Sequence, residues 1–216
     1  LVTGGVVTFL DVLGWNGIYV RQNNAISNLT RLVEGLRQKT TSQRGKVPQD
    51  TLISSISDTI VIHTRCGIKR VSDAIQNHGD LVSWVIPRSI EAGIPVRGAI
   101  AYGDYEYKGN IFAGKAVDEA AAWHEHADWI GAHLTPSAEF VFKGLSNRTW
   151  IKYTPPHKTP ISWNICCVDW TAQWVDRDLE KEAIVAGLRA LGPIVPEIAV
   201  KFANTLAFID APRPRD

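Results

Sequence analysis

The chain has 216 residues, of which 45% are hydrophobic and 21% are charged, and its formal net charge is +1. This composition is typical of an ordinary globular domain, and the length favours one domain with a substantial core. The near-zero net charge provides no electrostatic footprint for nucleic acid or an anionic membrane, so we expect neither as a partner of this chain.

Cysteine usage and hydropathy bear on the compartment. Cys66, Cys166 and Cys167 lack metal-type spacing, and free thiols in a reducing compartment are the simplest account of them. No apolar run approaches the roughly 18–20 residues of a membrane span. The expected localisation is therefore cytoplasmic.

The first part of the chain alternates between strand and helix patterns. Val6–Leu13 is a nearly continuous apolar run, typical of a strand buried on both faces. Gly14–Gly17 interrupts it, and apolar residues at helical spacing then predict a helix. Thr51–Ile56 and Thr59–Thr64 read as two strands paired around Ser57-Asp58.

The rest of the chain adds helices and shorter strands. A second helix follows Gly67 and closes at Gly93 and Pro95, as helix-stop signals predict. Val96–Tyr107 alternates like a strand, and a third helix covers about Lys115–Asp128. The pattern then predicts a short helix at Ser137–Lys143, strands at Trp150–Tyr153 and Ile161–Trp170, and two helical segments from Asp178 that meet at Gly192-Pro193.

The order of elements predicts the fold class. Through residue 128 the order is β-α-β-β-α-β-α, which indicates an α+β fold of the ferredoxin-like or palm type. Helices would cover one face of a largely antiparallel sheet, and the first strand would lie centrally beside the hairpin. Asp11, which closes the first apolar strand, and Asp58, at the hairpin tip, would then meet at one end of the sheet.

Two carboxylates at one sheet end indicate a site for hard cations. Mg²⁺ and Mn²⁺ prefer oxygen ligands over thiolates. Two such ions about 3.5–4 Å apart can hold the attacking and leaving oxygens of a phosphoryl displacement. Either aspartate alone could equally be an ordinary strand-end or turn residue.

Four motifs resemble those of class III nucleotidyl cyclases, in the same order along the chain. Residues 9–15 (FLDVLGW) are similar to the family's F-x-D-I-x-G-F opening, and Ser57-Asp58 lies where the family has Gly-Asp. Residues 96–103 resemble its R-x-G-I-x-x-G strand, and residues 114–120 resemble its G-x-x-V-N-x-A helix start. The resemblance covers about Val6–Ala138.

The resemblance implies a catalytic domain at 1–175, with 176–216 as a C-terminal helical extension of the same domain. Asp11 and Asp58 would bind two Mg²⁺ or Mn²⁺ ions, with the Val12 carbonyl as a further ligand. One ion would activate the ribose 3′-hydroxyl for attack on the α-phosphate, and the other would hold the triphosphate. The site would lie between the subunits of a head-to-tail homodimer. Backbone N–H groups of Leu13, Gly14, Trp15, Asn16 and Gly17 would hold the phosphates.

The chain departs from the family's purine cyclases at four positions. Ser54 replaces the base-reading Lys, and Ile111 replaces its partner Asp. Asp118 and Ala122 replace the Asn and Arg that stabilise the transition state. The chain is therefore either a catalytically dead, nucleotide-sensing fold or a divergent branch with another base and other cations. Retention of both metal-binding aspartates favours the divergent branch.

The pattern as a whole resembles the bacterial pyrimidine cyclases of Pycsar antiphage defence, which make cyclic UMP or cyclic CMP as an alarm signal. Arg97 or Ser54 could donate to a uracil carbonyl, although Arg97 could equally be structural. Lys115 could contact a phosphate or replace the missing cation, or simply be solvated. The predicted activity is that of a phosphorus–oxygen lyase converting UTP to 3′,5′-cyclic UMP and pyrophosphate. The alternatives are CTP or ATP as the substrate, or a non-catalytic nucleotide sensor.

Overall fold

The computed structural model describes residues 3–18, 22–42, 50–144, 148–159, 161–191 and 195–213. The strands are β1 (Thr3–Val12), β2 (Thr51–Ile56), β3 (Thr59–Arg65), β4 (Val96–Lys108), β5 (Ile111–Ala113), β6 (Ala132–Leu134), β7 (Trp150–Tyr153) and β8 (Ile165–Val168). The helices are α1 (Ala25–Ser42), α2 (Val71–Glu91), α3 (Lys115–His126), α4 (Pro136–Val141), α5 (Arg177–Arg189) and α6 (Pro196–Asp210), and a 3₁₀ turn (Ile68–Arg70) precedes α2.

β1 lies near the middle of a mixed sheet with the order β2-β3-β1-β4-β6-β8-β7, and β5 pairs with β4. Neighbouring strands are antiparallel except for the parallel pair of β4 and β6. The predicted α+β fold of the ferredoxin-like or palm type, with the first strand beside the hairpin, is confirmed.

Helices cover both faces of the sheet, so the expectation that they cover one face is wrong. Val6 and Leu10 of β1 join the main core, which also contains residues of α1 and α2. Val7 points to the opposite face and joins a second, smaller core with Ala116 and Ala120 of α3. A strand with apolar side chains on both sides needs a cover on each side, because exposed apolar surface is unfavourable.

Two short strands escaped the sequence analysis. β5 and β6 have three residues each, too few for an alternation to be recognised.

The predicted helix junction at Gly192-Pro193 falls outside the described residues. Residues of α5 and α6, among them Ile184, Leu188 and Phe208, belong to the main core. The division at residue 176 stays a prediction. In the part of the chain that the structure describes, no helix is long and apolar enough to cross a bilayer.

A buried chain of polar side chains connects α2 to the sheet. The His78 ring places Nδ1 2.7 Å from Thr8 Oγ1 and Nε2 2.9 Å from Thr64 Oγ1. Thr64 Oγ1 lies 2.7 Å from Thr51 Oγ1. Burial lowers the pKa of His78 to about 3, and the nearby His63 contributes in the same direction. The folded state therefore holds His78 neutral.

We expect the free energy of unfolding to fall as the pH drops below about 6.5. A lowered pKa means that the unfolded chain binds a proton from about 6.5 downward, whereas the folded chain does not until about 3. Each such histidine contributes a slope approaching about 1.4 kcal/mol per pH unit. Burial lowers the pKa of His63 to about 4 and that of His133 to about 3, so both add to the slope.

Urea denaturation between pH 7.5 and 5.5 measures this slope. His78→Gln keeps a polar side chain but removes the titration, so it should lower the slope by about half a proton at pH 6.5 and by nearly one proton at pH 5.5. An unchanged slope in His78→Gln would contradict the assignment of a neutral, buried His78.

β1 and β4 approach each other closely at Gly98, within residues 96–103, the segment that resembles the R-x-G-I-x-x-G strand. A Cβ at Gly98 would lie 2.4 Å from the Phe9 carbonyl oxygen and 2.4 Å from Leu10 Cδ2. Gly98→Ala should therefore destabilise the protein by about 1–3 kcal/mol through overpacking. Gly103→Ala on the same strand is the matched control, because its Cβ would approach no atom closer than 3.3 Å. Equal unfolding midpoints for the two variants in urea would refute this explanation.

Candidate active site

Asp11 is the penultimate residue of β1 and lies in a row of side chains that crosses four strands. It pairs with Thr59 of β3 on one side and with Arg97 of β4 on the other, and Thr59 pairs in turn with Ile56 of β2. Residues paired directly across strands project from the same face. Along β1, Asp11 is four residues from Val7, so both side chains project from the same face. This is the face that α3 covers.

Asp58 lies in the two-residue turn between β2 and β3, next to the end of β1. Ser57 has a φ of 54°, the left-handed conformation that tight hairpin turns require. The Asp58 carbonyl accepts a hydrogen bond from the Val12 N–H at 3.2 Å, which fixes the hairpin tip to the residue after Asp11. The structure thus brings the two aspartates together at one end of the sheet.

The electrostatics of Asp11 reflect this proximity. Burial raises the pKa of Asp11 above its ordinary value, and the charge of Asp58 raises it further. The positive charges of Arg97 and His124 oppose that rise. A carboxylate that is desolvated and close to a second carboxylate is stabilised by a cation between them.

Arg97 is the cation in direct contact with Asp11. Its Nη2 and Nε lie 3.3 and 3.4 Å from Asp11 Oδ2, and its side chain is only 10% exposed. Its Nη1 donates to the carbonyls of Ala127 at 2.8 Å and Glu125 at 3.2 Å, at the end of α3. This placement favours a structural role for Arg97 over the reading of a base.

The carboxylate oxygens here fit a hard divalent cation. Both bonds from Arg97 to Asp11 are long and go to one oxygen, so Asp11 Oδ1 is left as an acceptor. Among the described residues, none donates a hydrogen bond to the Asp58 carboxylate. No group of three or more potential metal-binding side chains occurs in the described ranges, so the protein would supply two carboxylates and backbone oxygen. Such a set suits Mg²⁺ or Mn²⁺ with water or substrate oxygens as further ligands. Metal binding by Asp11, Asp58 and the Val12 carbonyl stays a prediction.

The predicted phosphate loop follows β1 directly. The Leu13 N–H donates to the Pro95 carbonyl at 2.8 Å. Because this N–H is already bonded, Leu13 is removed from the backbone groups predicted to hold the phosphates. Trp15 packs against the main core, whereas Asn16 and Gly17 are exposed. Ile18 has helical backbone, and residues 19–21 lie outside the described residues. The position before a helical turn is favourable for phosphate.

Ser54 lies on the same sheet face as Asp11. It pairs with Val61 of β3, which pairs with Phe9 of β1, two residues before Asp11. Ser54 is half-buried, and its neighbours on β2, Leu52 and Ile56, are 45% and 37% exposed. This half of the face is therefore open to a ligand or to a second protein chain.

Lys115 is not part of this cluster. It begins α3, and a Cβ at Gly103 would lie 3.5 Å from its Cβ. Gly103 is six residues from Arg97 along β4, roughly 20 Å at about 3.3 Å per residue. Lys115 therefore lies at the opposite end of the sheet from Asp11. Within one chain, Lys115 is therefore too far from Asp11 to contact a phosphate bound there.

Two residues around the Asp11–Arg97 ion pair were missed as site candidates. His124 of α3 stacks edge-on against Phe9, with ring centroids 5.9 Å apart, and its charge acts on Asp11. Lys158 follows β7, and burial and then the charges of Arg97 and Lys201 lower its pKa. The linear sequence gives no signal for Lys158, because its approach to Arg97 depends on the packing of a loop against the end of α3.

The chain was compared with known proteins, and no family model and no curated protein matches it. Solved structures do match. Adenylate cyclases from Trypanosoma brucei in their monomeric state share 12% identity at a TM-score of 0.52, over 78% of this chain and 90% of that chain. The catalytic core of a rhodopsin-guanylyl cyclase with converted specificity, in complex with ATPαS, shares 14% at 0.50, over 77% and 95%.

An adenylate/guanylate cyclase/hydrolase from Silicibacter pomeroyi shares 14% identity at a TM-score of 0.51, over 78% of this chain and 95% of that chain. At such identities the likeness concerns the arrangement of the backbone. In this chain the backbone has a central first strand, an adjoining hairpin and helices on both faces of the sheet. The chain therefore has the α+β fold of the class III nucleotidyl cyclase catalytic domains.

Proposed function

We propose that the protein is a metal-dependent pyrimidine nucleotide cyclase that converts UTP to 3′,5′-cyclic UMP and pyrophosphate and signals in antiphage defence. The observation that supports it most directly is the meeting of Asp11 and Asp58 at one end of the sheet, in the cyclase fold. These residues are distant in the sequence, and the fold alone does not require acidic side chains at both positions.

Different residues of the chain have different roles in the proposed reaction. Asp11 and Asp58 would hold the divalent cations, which would lower the pKa of the ribose 3′-hydroxyl and neutralise charge on the triphosphate. Arg97 holds the Asp11 carboxylate in a fixed orientation against the end of α3. The exposed backbone at Asn16 and Gly17 lies where the phosphates would bind. Lys158 adds positive charge on the Arg97 side of the site.

The departures from the purine cyclases support the pyrimidine substrate. Ser54, which replaces the purine-reading Lys, is a short donor and acceptor on the open half of the sheet face. Ile111, which replaces the partner Asp, is 73% exposed on β5 and offers no polar group. A site that hydrogen-bonds uracil discriminates strongly against other bases, because its buried donors would face the wrong partners.

The exposed apolar side chains on this face support a homodimer. Leu52 and Ile56, which flank Ser54 on the same face of β2, are each more than one-third exposed. Exposed apolar side chains next to each other on one strand face are typical of a protein–protein contact. A second subunit here would close the open half of the face and could bring its own Lys115 toward the site, which one chain alone does not achieve.

Incubation of the protein with each of the four nucleoside triphosphates and Mn²⁺ tests the proposed function. We expect cyclic UMP and pyrophosphate from UTP, at a rate at least about tenfold above that with CTP, ATP or GTP. Chromatography of the products provides the measurement. Cyclic product from ATP alone would remove the pyrimidine proposal, and tight nucleotide binding without pyrophosphate release would favour the nucleotide sensor.

Asp58→Ala should reduce kcat/KM on the order of a thousandfold, because the metal contributes several kcal/mol to the transition state. The urea midpoint should change little, because Asp58 lies in a turn and is held to β1 by its backbone carbonyl, which accepts a hydrogen bond from the Val12 N–H. Asp104→Ala is the matched control, an exposed aspartate at the far end of the same sheet. Turnover retained in Asp58→Ala, or lost equally in both variants, would contradict the assignment.

A further inference from the structure

We propose that Lys201 of the C-terminal helix α6 is a positioning residue for the metal site, and that it acts through residues 127–131 and Arg97 on Asp11. We call residues 127–131, which connect α3 to β6, the strap. This inference rests on the proposed function, since it concerns the same carboxylates. It is based on a continuous set of contacts between α6 and Asp11, the candidate metal ligand.

The Ala127 carbonyl of the strap and the Glu125 carbonyl of α3 hold the Arg97 side chain from one side, while Asp11 holds it from the other. Arg97 Nη1 donates to the Ala127 carbonyl at 2.8 Å and to the Glu125 carbonyl at 3.2 Å. Nε and Nη2 of the same planar guanidinium face Asp11. A guanidinium is rigid, so a shift of the strap carbonyl changes the position of the groups that contact Asp11.

The strap is also fixed to β4, the strand that carries Arg97. The Gly98 N–H donates to the Gly131 carbonyl at 2.9 Å. Trp129, between the two ends, is fully buried and packs against Phe208 of α6 with ring centroids 4.6 Å apart. The strap therefore has little room to move without disturbing either β4 or α6.

Three polar side chains of α6 hold the strap. Lys201 Nζ pairs with Asp128 Oδ1 at 2.8 Å, and the two side chains are only 12% and 16% exposed. Asn204 Nδ2 donates to the Asp128 carbonyl at 2.8 Å. The Ile130 N–H donates to Thr205 Oγ1 at 2.8 Å. A partly buried ion pair is screened less by solvent than an exposed one. Removal of this ion pair should therefore loosen the strap.

The C-terminal helix and the metal ligand are thus joined by consecutive contacts. Lys201 holds Asp128, the neighbouring Ala127 carbonyl holds Arg97, and Arg97 orients Asp11. Loss of the Lys201 ammonium should leave Arg97 less well placed, and Asp11 then becomes a poorer metal ligand. Ligand orientation by residues beyond the first contacts commonly changes metal affinity.

The test compares Lys201→Ala with Lys181→Ala. Lys181 of α5 also pairs with an aspartate of α6, Asp210, at 2.6 Å, but it does not contact the strap. We expect Lys201→Ala to weaken Mn²⁺ binding to the metal-free protein about threefold to tenfold by titration calorimetry. The Mn²⁺ concentration for half-maximal turnover should rise by a similar factor, with a smaller effect on kcat. Lys181→Ala should change neither, and Lys201→Arg should restore most of the affinity.

A readout in the metal-free protein separates this inference from the proposed function. The NMR resonance of the Arg97 Nε–H reports its hydrogen bonding without metal or substrate. It should shift and exchange faster in Lys201→Ala but not in Lys181→Ala. Absence of Mn²⁺ binding and of turnover in the unaltered protein would refute the proposed function, whereas the Arg97 resonance would still test the contact path.

Equal Mn²⁺ affinities and an unchanged Arg97 resonance in Lys201→Ala and Lys181→Ala would overturn the inference. If Lys201→Ala does not fold, Asn204→Ala removes a second contact of the strap, the bond to the Asp128 carbonyl, and should give the same direction of change. Normal metal affinity in a folded Asn204→Ala, together with an unshifted Arg97 resonance, would also overturn it.

Discussion

The ion pair between Asp11 and Arg97 is the contact on which the organisation of the candidate site depends. It joins the end of β1 to β4 across the sheet, and it joins both strands to the end of α3 through the carbonyls of Glu125 and Ala127. Desolvation works against a charged Asp11, and Arg97 compensates for that cost with charge and directed hydrogen bonds. The carboxylate is thereby kept at the sheet end beside Asp58.

The two cores of the molecule explain why this site lies where it does. α1 and α2 pack on one face of the sheet, and α3 packs on the part of the other face nearest β4. The β2 side of that second face remains open, with Leu52 and Ile56 exposed beside Ser54. A nucleotide site at the edge of α3 and a surface for a second subunit are both consistent with this half-covered sheet.

Local sequence patterns predicted much of this architecture because each depends on neighbouring residues. The apolar run of β1, the hairpin around Ser57-Asp58 and the long alternation of β4 all appear as strands at nearly the expected bounds. The proximity of Asp11 and Asp58 also followed, since the first strand of this element order lies beside the hairpin. β5 and β6 were missed because three residues carry too little periodicity, and their pairing with β4 is a long-range contact.

The sequence by itself determined the α+β class, the order of the main elements and the two acidic residues at one end of the sheet, because periodicity and turn chemistry are local properties. Only the tertiary structure decided that α3 lies on the opposite face from α1 and α2, that Arg97 contacts Asp11, and that Lys115 lies at the far end of the sheet. It also decided that α6 holds the loop behind Arg97. Those facts depend on which surfaces bury each other across long separations in sequence, and one-dimensional spacing carries no information about such packing.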